Sequence, residues 1–294
     1  MSQPCVKKAL AYRPVRSDDI VALHALSLSV GWPHRQEDWA LLLDCGSGFV
    51  AEQQGAVVGS ALYWKCGADR GTLGLVIVSP AGQGRGIGSQ LMELVFAELG
   101  ERVTFLHATP AGKPLYEKLG FTACGMVDQH QGTIAGVSAP ILSPGERLRP
   151  LVQDDVPQVI ELASRASGLD RRVTIPALLK NAEGVLLERD GEPVGFSLFR
   201  CFGRGYAIGP VVAMPSLGEL YAKSLITHWL SQRTGAFVRI DVPAGADLHE
   251  WLTAQGLVRV DSVVRMVRNA SAAEHSGDPD PTFRMFGIIN QAIG

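Results

Sequence analysis

The 294-residue sequence is short of charge, of aromatic residues and of long apolar runs. Charged side chains make up 19% and aromatic ones 7%, against 46% apolar residues, a balance that excludes a mostly disordered chain. The formal net charge is −2, so the basic excess of a sequence-independent nucleic-acid binder is missing. The longest apolar runs, such as Leu73–Val78, fall far below the ~18–20 residues of a membrane helix. Two N-terminal lysines are followed by no apolar stretch, so no signal peptide is expected. Five cysteines (Cys5, Cys45, Cys66, Cys124, Cys201) stand apart, without CxxC spacing, which argues against a disulfide framework and against a metal site. The expectation is a soluble cytoplasmic protein with neither nucleic acid nor membrane as partner.

What the sequence does contain is a repeat. Arg13-Pro14 with Asp18-Asp19 recurs as Arg149-Pro150 with Asp154-Asp155, an offset of 136. The same offset carries Gly48, Glu52, Gly55, Val58, Gly59, Leu62 and Gly67 onto Gly184, Glu188, Gly191, Val194, Gly195, Leu198 and Gly203. Between residues 13 and 67, 15 of 55 positions are identical without a gap; chance pairing at this composition gives roughly four. The chain therefore reads as a divergent duplication, with domains at 1–140 and 141–294 and a Pro- and Gly-containing seam near 138–149.

Both copies follow one plan. A short strand (9–13; 146–149) precedes an Asp-started helix, where Asp18 or Asp154 is placed to cap the first turn. Two strands then flank a polar-Gly turn: 48–53 and 57–65 around Gln54-Gly55, 184–189 and 193–201 around Asp190-Gly191. An apolar strand (73–78; 208–213) leads to an amphipathic helix carrying Leu91, Val95 and Leu99, or Leu225, Trp229 and Leu230. A further strand (103–107; 236–241) and a short helix (112–119; 248–254) close each copy.

The chemistry lies in LGLVIVSPAGQGRGIGSQL, residues 73–91. A strand ends at Pro80, four closely spaced glycines follow (Gly82, Gly84, Gly86, Gly88), and a helix begins at once. Glycine admits left-handed backbone and close ligand approach, while the first helical turn presents unpaired N–H groups and a partial positive charge. Together they form an anion cradle suited to a pyrophosphate. No Lys-Ser or Lys-Thr completes a Walker loop, and the GxGxxG spacing of a dinucleotide fold fails at Ser89 and at Ile87. The pattern that fits is Q-x-x-G-x-G, Gln83 to Gly88, preceded by Val78-Ser79-Pro80. This resembles the acetyl-CoA-binding signature of the GNAT acyltransferase superfamily, and LYEKLGF (115–121) resembles that family's closing motif. The likeness covers about residues 9–136 with motifs intact and 146–268 in layout only.

The resemblance implies an α/β fold of two tandem GNAT-like domains, each a mixed, mostly antiparallel sheet flanked by helices, the second degenerate. It implies acetyl-CoA as co-substrate, with Ile77 and Val78 bonding the peptide-like pantetheine arm. Main-chain amides around Gln83, Gly84, Arg85, Gly86 and Gly88, with Ser89, would hold the pyrophosphate. Tyr116 takes the place of the tyrosine that protonates the departing thiolate. Thr109 departs from the asparagine that many members carry seven residues before it. Arg85, Lys113 and Lys118 suit either the cofactor phosphates or a solvated surface. A deprotonated amine attacking the thioester needs orientation, an oxyanion donor and a base. Candidate bases are His34, Glu37, Asp38, Glu52, Asp69 and His107, and Glu52 recurs as Glu188 in the copy without the loop, which favours a structural role. Acceptor selection would fall to 29–39, SVGWPHRQEDW, where Trp32, His34, Glu37 and Trp39 could face an ammonium group or a ring; the two tryptophans equally suit a helical core.

The second copy has lost the glycines: Gly209-Pro210-Val211-Val212-Ala213-Met214-Pro215 runs into SLGELYAKSL, and His249 replaces the tyrosine. No cofactor is expected there. A polar stretch, 269–281, precedes an apolar tail, 283–293, which must bury against the first domain or against a second copy as a homodimer. The leading expectation is an N-acyltransferase acting on a small-molecule amine (amino-acid-like, polyamine or similar). Alternatives are a protein-lysine acetyltransferase and a non-catalytic acetyl-CoA sensor.

Overall fold

In each copy a polar residue and a glycine join two antiparallel strands, and both adopt the left-handed backbone of a tight hairpin. Their φ angles are 55° and 78° at Gln54-Gly55, and 53° and 87° at Asp190-Gly191. The computed structural model describes residues 10–271 and 279–294; Cys5, Ala9 and the middle of the polar stretch 269–281 lie outside the described residues. Two compact units emerge. One holds the chain up to Lys65 with Leu73–Gly100, the other Cys66–Thr72 with Glu101–Gly294. This division runs through the first sequence copy and not through the seam at 138–149.

The first unit orders β1 (Leu10–Pro14), β2 (Ser47–Gln53), β3 (Ala56–Cys66) and the greater part of β4 (Arg70–Val78) in sequence. β1–β2 and β2–β3 are antiparallel. Its helices are α1 (Ile20–Ser29), α2 (Gln36–Asp44) and α3 (Ile87–Leu99). α3 buries Ile87, Leu91, Met92, Val95 and Leu99, a single stripe at helical spacing; each such side chain contributes about 1.5–3 kcal/mol. Gly59 on β3 makes room for this helix, since a Cβ there would stand 3.1 Å from Ile87 Cγ2 and 3.2 Å from the Ile77 carbonyl.

The second unit begins with β5 (Val103–Ala108), α4 (Lys113–Lys118) and β6 (Thr122–Thr133) from the first copy. From the second copy come β7 (Glu146–Pro150), α5 (Val156–Ser167), α6 (Thr174–Leu179), β8 (Ala182–Arg189), β9 (Glu192–Phe202) and β10 (Gly205–Ala213). They are followed by α7 (Leu220–Ser231), β11 (Phe237–Pro243), α8 (His249–Ala254), β12 (Val258–Arg268) and β13 (Arg284–Gly287). The strand order is β5-β12-β6-β11-β10-β9-β8-β7, with β13 beside β10.

β6 and β12 have no counterpart in the sequence reading, which ended each copy at its short helix. They are exchanged. β12, from the second copy, lies between β5 and β6 of the first; β6, from the first, lies between β12 and β11 of the second. All three pairings are antiparallel and long, with Val264–Arg268 on Ala108–Thr104, Val258–Val267 on Gln131–Thr122, and Phe237–Pro243 on Thr133–Val127. Each copy's last strand thus satisfies main-chain groups of the other.

The apolar tail is buried inside this unit. β13 pairs with the end of β10 (Val211–Ala213), and the Ile288 N–H donates to the Asp241 carbonyl on β11 at 2.9 Å. β10 and β11 pair in parallel only over Tyr206–Ile208, and β13 fills the split beyond. A side chain at Gly209 would collide with the Ile288 carbonyl.

The duplication extends to side chains. Arg13 bridges Asp19 (2.8 Å) and Glu52 (2.9 Å), and Arg149 bridges Asp155 (2.6 Å) and Glu188 (2.7 Å), every member displaced by the repeat offset. Asp19 and Asp155 also accept the backbone N–H of Arg16 and Val152, each at 2.8 Å. The caps are therefore Asp19 and Asp155 and not Asp18 and Asp154, because only the second aspartate sits three residues past the donor, within reach of it.

Expressed alone, residues 1–140 would leave β5 and β6 without β12 and expose unpaired edges that associate. The fragment is expected to be insoluble or polymeric by size-exclusion chromatography, and co-expression of 141–294 to restore a soluble one-to-one complex.

Candidate functional site

The glycine loop leaves β4 at Val78. Ser79 donates to the Val58 carbonyl at 2.9 Å, and Pro80–Gly82 makes one tight turn. Gly84 and Gly86 follow at φ 74° and 77°. Both require glycine for conformation, and a Cβ at either would meet nothing within 4 Å, so the space in front of the backbone is open. Gln83 folds its side-chain amide back onto the Val78 carbonyl (3.3 Å), and Arg85 reaches the Gln53 side chain (3.1 Å). The first amide to bond back into α3 is that of Gln90, to the Gly86 carbonyl at 3.1 Å. Those of Ile87, Gly88 and Ser89 precede it and carry no such bond among the described residues. Gln83, Gly84, Arg85, Gly86 and Ser89 are exposed, Gly88 partly so. This is a positively polarised helix start with open space before it, suited to an anion through the main chain.

Upstream, Leu75 takes φ 51°, a conformation that costs an ordinary residue about 1–3 kcal/mol. It is buried, and its carbonyl accepts the hydroxyl of fully buried Ser60 on β3 at 2.8 Å. That bond helps hold a kink in the strand carrying Ile77 and Val78. Nothing about a leucine in an apolar run signals it; the one hint is a serine inside VVGSALYW (57–64).

Tyr116 lies on α4 in the other unit. Its ring is buried, edge-on to Phe121 at 6.0 Å, and its hydroxyl has no partner among the described residues. Burial raises its pKa, so the phenol keeps its proton through the neutral range. Gly112 makes room for the ring: a Cβ there would lie 3.2 Å from Tyr116 Cε2. Thr109, in place of an asparagine, accepts the Gly112 N–H at 3.2 Å and so serves the turn into α4. Lys113 is paired with Glu117 (2.7 Å), and Lys118 is exposed.

The segment 29–39 divides. Trp39 is fully buried and its indole N–H donates to Ser27 Oγ at 3.3 Å, so it belongs to the core between α1 and α2 and not to a ligand-facing surface. Trp32 and His34 are partly exposed, with ring centroids 5.9 Å apart, and Glu37 is exposed. Asp38 is no free base: it is buried, paired with Arg35 at 2.8 Å, and accepts the Arg35 backbone N–H at 2.9 Å as the cap of α2. Glu52 is tied to Arg13, and Asp69 is exposed beside Arg70 on the chain. His107, on β5, sets Nδ1 3.0 Å from the Gln291 carbonyl; burial and the Arg265 charge hold its pKa down, at about 4.

The comparisons agree with this layout. Two stretches match the acetyltransferase (GNAT) domain family, residues 44–123 and 159–278. The uncharacterized N-acetyltransferase YitH of Bacillus subtilis (strain 168) is 25% identical over 295 residues, covering 94% of this chain and 99% of that protein. A candidate acetyltransferase from Pyrococcus horikoshii superposes with a TM-score of 0.77 at 20% identity, covering 100% of this chain and 99% of its own. A tandem GNAT protein from the clavulanic acid biosynthesis pathway gives 0.64 at 15% identity, over 90% and 100%.

On unfolding, the His107 ring regains its ordinary proton affinity. Between about pH 6.5 and 4 the unfolded chain then binds a proton that the folded one refuses, and stability falls as pH drops through that window. His107→Asn removes this loss; the stability gap between wild type and variant, measured by urea unfolding, is expected to shrink steadily from pH 7 to pH 4. With a cradle, a phenol and two matched domains in one polypeptide, the chain belongs to the GNAT acetyltransferases, as a tandem member.

Proposed function

We propose that the protein transfers an acetyl group from acetyl-CoA to the amine of a small molecule, by direct attack in a ternary complex. The observation that carries this reading is the run of unbonded amides at Ile87–Ser89 behind two left-handed glycines with open space before them. Those residues fit a pyrophosphate, which needs donors at close main-chain approach and no side chain in the way. Amides from Gly84 to Ser89 would hold it, with the Ser89 hydroxyl, and the Arg85 guanidinium would add charge. The main chain at Ile77 and Val78 would take the pantetheine arm as a strand takes a peptide. When bound, acetyl-CoA supplies the activated thioester.

The protein's own part is positioning and proton handling. Tyr116 remains a proton donor at neutral pH because burial disfavours its anion. Its hydroxyl has no protein partner among the described residues and is not sealed from solvent, so it is open to a bound group, which supports turnover over mere sensing. A small-molecule amine remains the proposed acceptor class, and a soluble cytoplasmic location the proposed setting. Among the described residues no helix is long and apolar enough to cross a membrane.

Gly86→Trp is expected to abolish CoA binding in calorimetry while the circular dichroism spectrum stays native; unchanged affinity overturns the cradle. In a thiol-release assay with acetyl-CoA and a panel of amino acids, polyamines and amino sugars, Tyr116→Phe should lower turnover by about 10²-fold with CoA affinity kept. Binding of acetyl-CoA with no turnover anywhere in the panel would favour a sensor.

A further inference from the structure

Outside the cradle, the second unit contains a cavity of about 410 Å³, within the range of small-molecule sites. Its floor is a row across three neighbouring strands. Arg265 on β12 is in register with His107 on β5 and with Gly125 on β6. Residues directly opposite in antiparallel strands share a face, with Cβ atoms about 4.5–5.5 Å apart. His107 and Arg265 therefore stand side by side, and Gly125 leaves the third place bare: a Cβ there would meet nothing closer than Arg265 Cβ at 3.8 Å. The register slips immediately beyond this row, where β6 carries Cys124 as an extra residue, and bulges of this kind re-aim neighbouring side chains. The lining also includes Ser167 at the end of α5, Leu169 and Arg171 just beyond it, and Ile288 and Ala292 of the tail.

The charged side chains that line this cavity have one sign. The lining includes two arginines and no aspartate or glutamate. Arg171 is spent on the tail, donating to the Ile293 and Gly294 oxygens at 2.8 and 2.9 Å. Arg265 is not spent. Its guanidinium lies over the Phe105 ring at 4.6 Å and has no carboxylate partner among the described residues. Opposing its charge are the C-terminal dipole of α5, about half a charge, and Asp241, whose charge reaches His107.

The geometry points to a binding site for a small molecule that carries a carboxylate next to an N–H or O–H donor, the carboxylate on Arg265 and the donor on His107. Arg presents a planar fork suited to a carboxylate. The Gln291 carbonyl must receive a hydrogen from His107 Nδ1, so the neutral ring keeps its hydrogen there and leaves Nε2 as an acceptor. The spacing of the two side chains suits an α-amino or α-hydroxy acid. The site exists only through strand exchange, because Arg265 comes from the second copy and His107 and Gly125 from the first. It uses none of the cradle residues and stands independently of the acetyl-CoA reading. The carboxylate could belong to the acceptor of the transfer reaction or to a separate effector.

Cys124, which lines the same cavity, provides the test. Iodoacetate is a small carboxylate; iodoacetamide is its neutral counterpart. In each case the Cys124 thiolate forms an S–C bond, the C–I bond breaks, iodide leaves and the thiol proton passes to buffer. The full-length protein is labelled with either reagent at pH 8.5, and rates at Cys124 and at exposed Cys201 are read by peptide mass spectrometry. The quantity measured is the iodoacetate-to-iodoacetamide rate ratio, from which any change in thiol ionisation cancels. In the wild type this ratio should be about tenfold higher at Cys124 than at Cys201, from one unscreened positive charge nearby. Arg265→Gln should bring it to the Cys201 value, and Arg265→Lys should retain most of the preference. Equal ratios at the two cysteines of the wild type, absence of labelling at Cys124, or a preference untouched by Arg265→Gln overturns the site.

The source of the carboxylate is read separately. A carboxylate on the acceptor appears as an Arg265→Gln increase in KM for α-amino acids with none for their amides. A separate effector appears as protection of Cys124 by lactate, but not by lactamide, with KM for the acceptor unchanged.

Discussion

A β-strand cannot end a sheet at no cost. Its outward N–H and C=O groups need partners, and in this chain the partners of each copy's closing strand are supplied by the other copy. β6 and β12 run antiparallel at the centre of the β5-β12-β6-β11 array, so one long interface satisfies both sets of groups at once. Most of what distinguishes the second unit follows from that exchange. It explains why β5, α4 and β6 group with the second copy, why the compact units disagree with the repeat boundaries, and why residues more than a hundred positions apart come to share one cavity floor.

The ion pairs show what duplication keeps and what it lets go. Arg13 with Asp19 and Glu52, and Arg149 with Asp155 and Glu188, bind the first strand of each copy to its helix start and to the hairpin behind it. The carboxylates of Asp19 and Asp155 are held below their ordinary pKa range by those arginines, and that of Glu188 by Arg147 (2.7 Å) together with Arg149, so the pairs stay charged throughout the neutral range. Such a framework serves the fold in both copies. The glycine loop, which the proposed function reads as a ligand cradle, survives in one.

Elements whose signal is local were legible in the sequence. The polar-Gly hairpins, the apolar stripe of α3 and the glycine loop each depend on residues within one turn or one strand of each other. The aspartate caps were placed one residue early, because Asp18-Asp19 and Asp154-Asp155 offer two candidates and only donor distance separates them. Trp39 read as well on a ligand surface as in a core, and full burial against Ser27 decides for the core. β6 and β12 were invisible for a different reason. TACGMVDQHQGT and VRVDSVVRMVR are partly exposed strands of mixed polar and apolar residues whose stability comes from distant partners, and nothing in their local pattern names those partners. Leu75 belongs with them: its left-handed backbone is imposed by surroundings that a linear reading does not see.

The tail strand gives the lost loop of the second copy a wider meaning. β13 lies in the split between β10 and β11, hydrogen-bonded to one and reaching the other through Ile288. The chain has placed its own peptide in the split between two strands of the second copy. Grafting glycines back at Met214–Glu219 would therefore revive nothing by itself. The occupant would have to be evicted first, together with Phe286 and Ile289, which are buried along with it. The second half thus fills with its own backbone a split between two strands, and undoing that takes the displacement of a whole segment and not a point change.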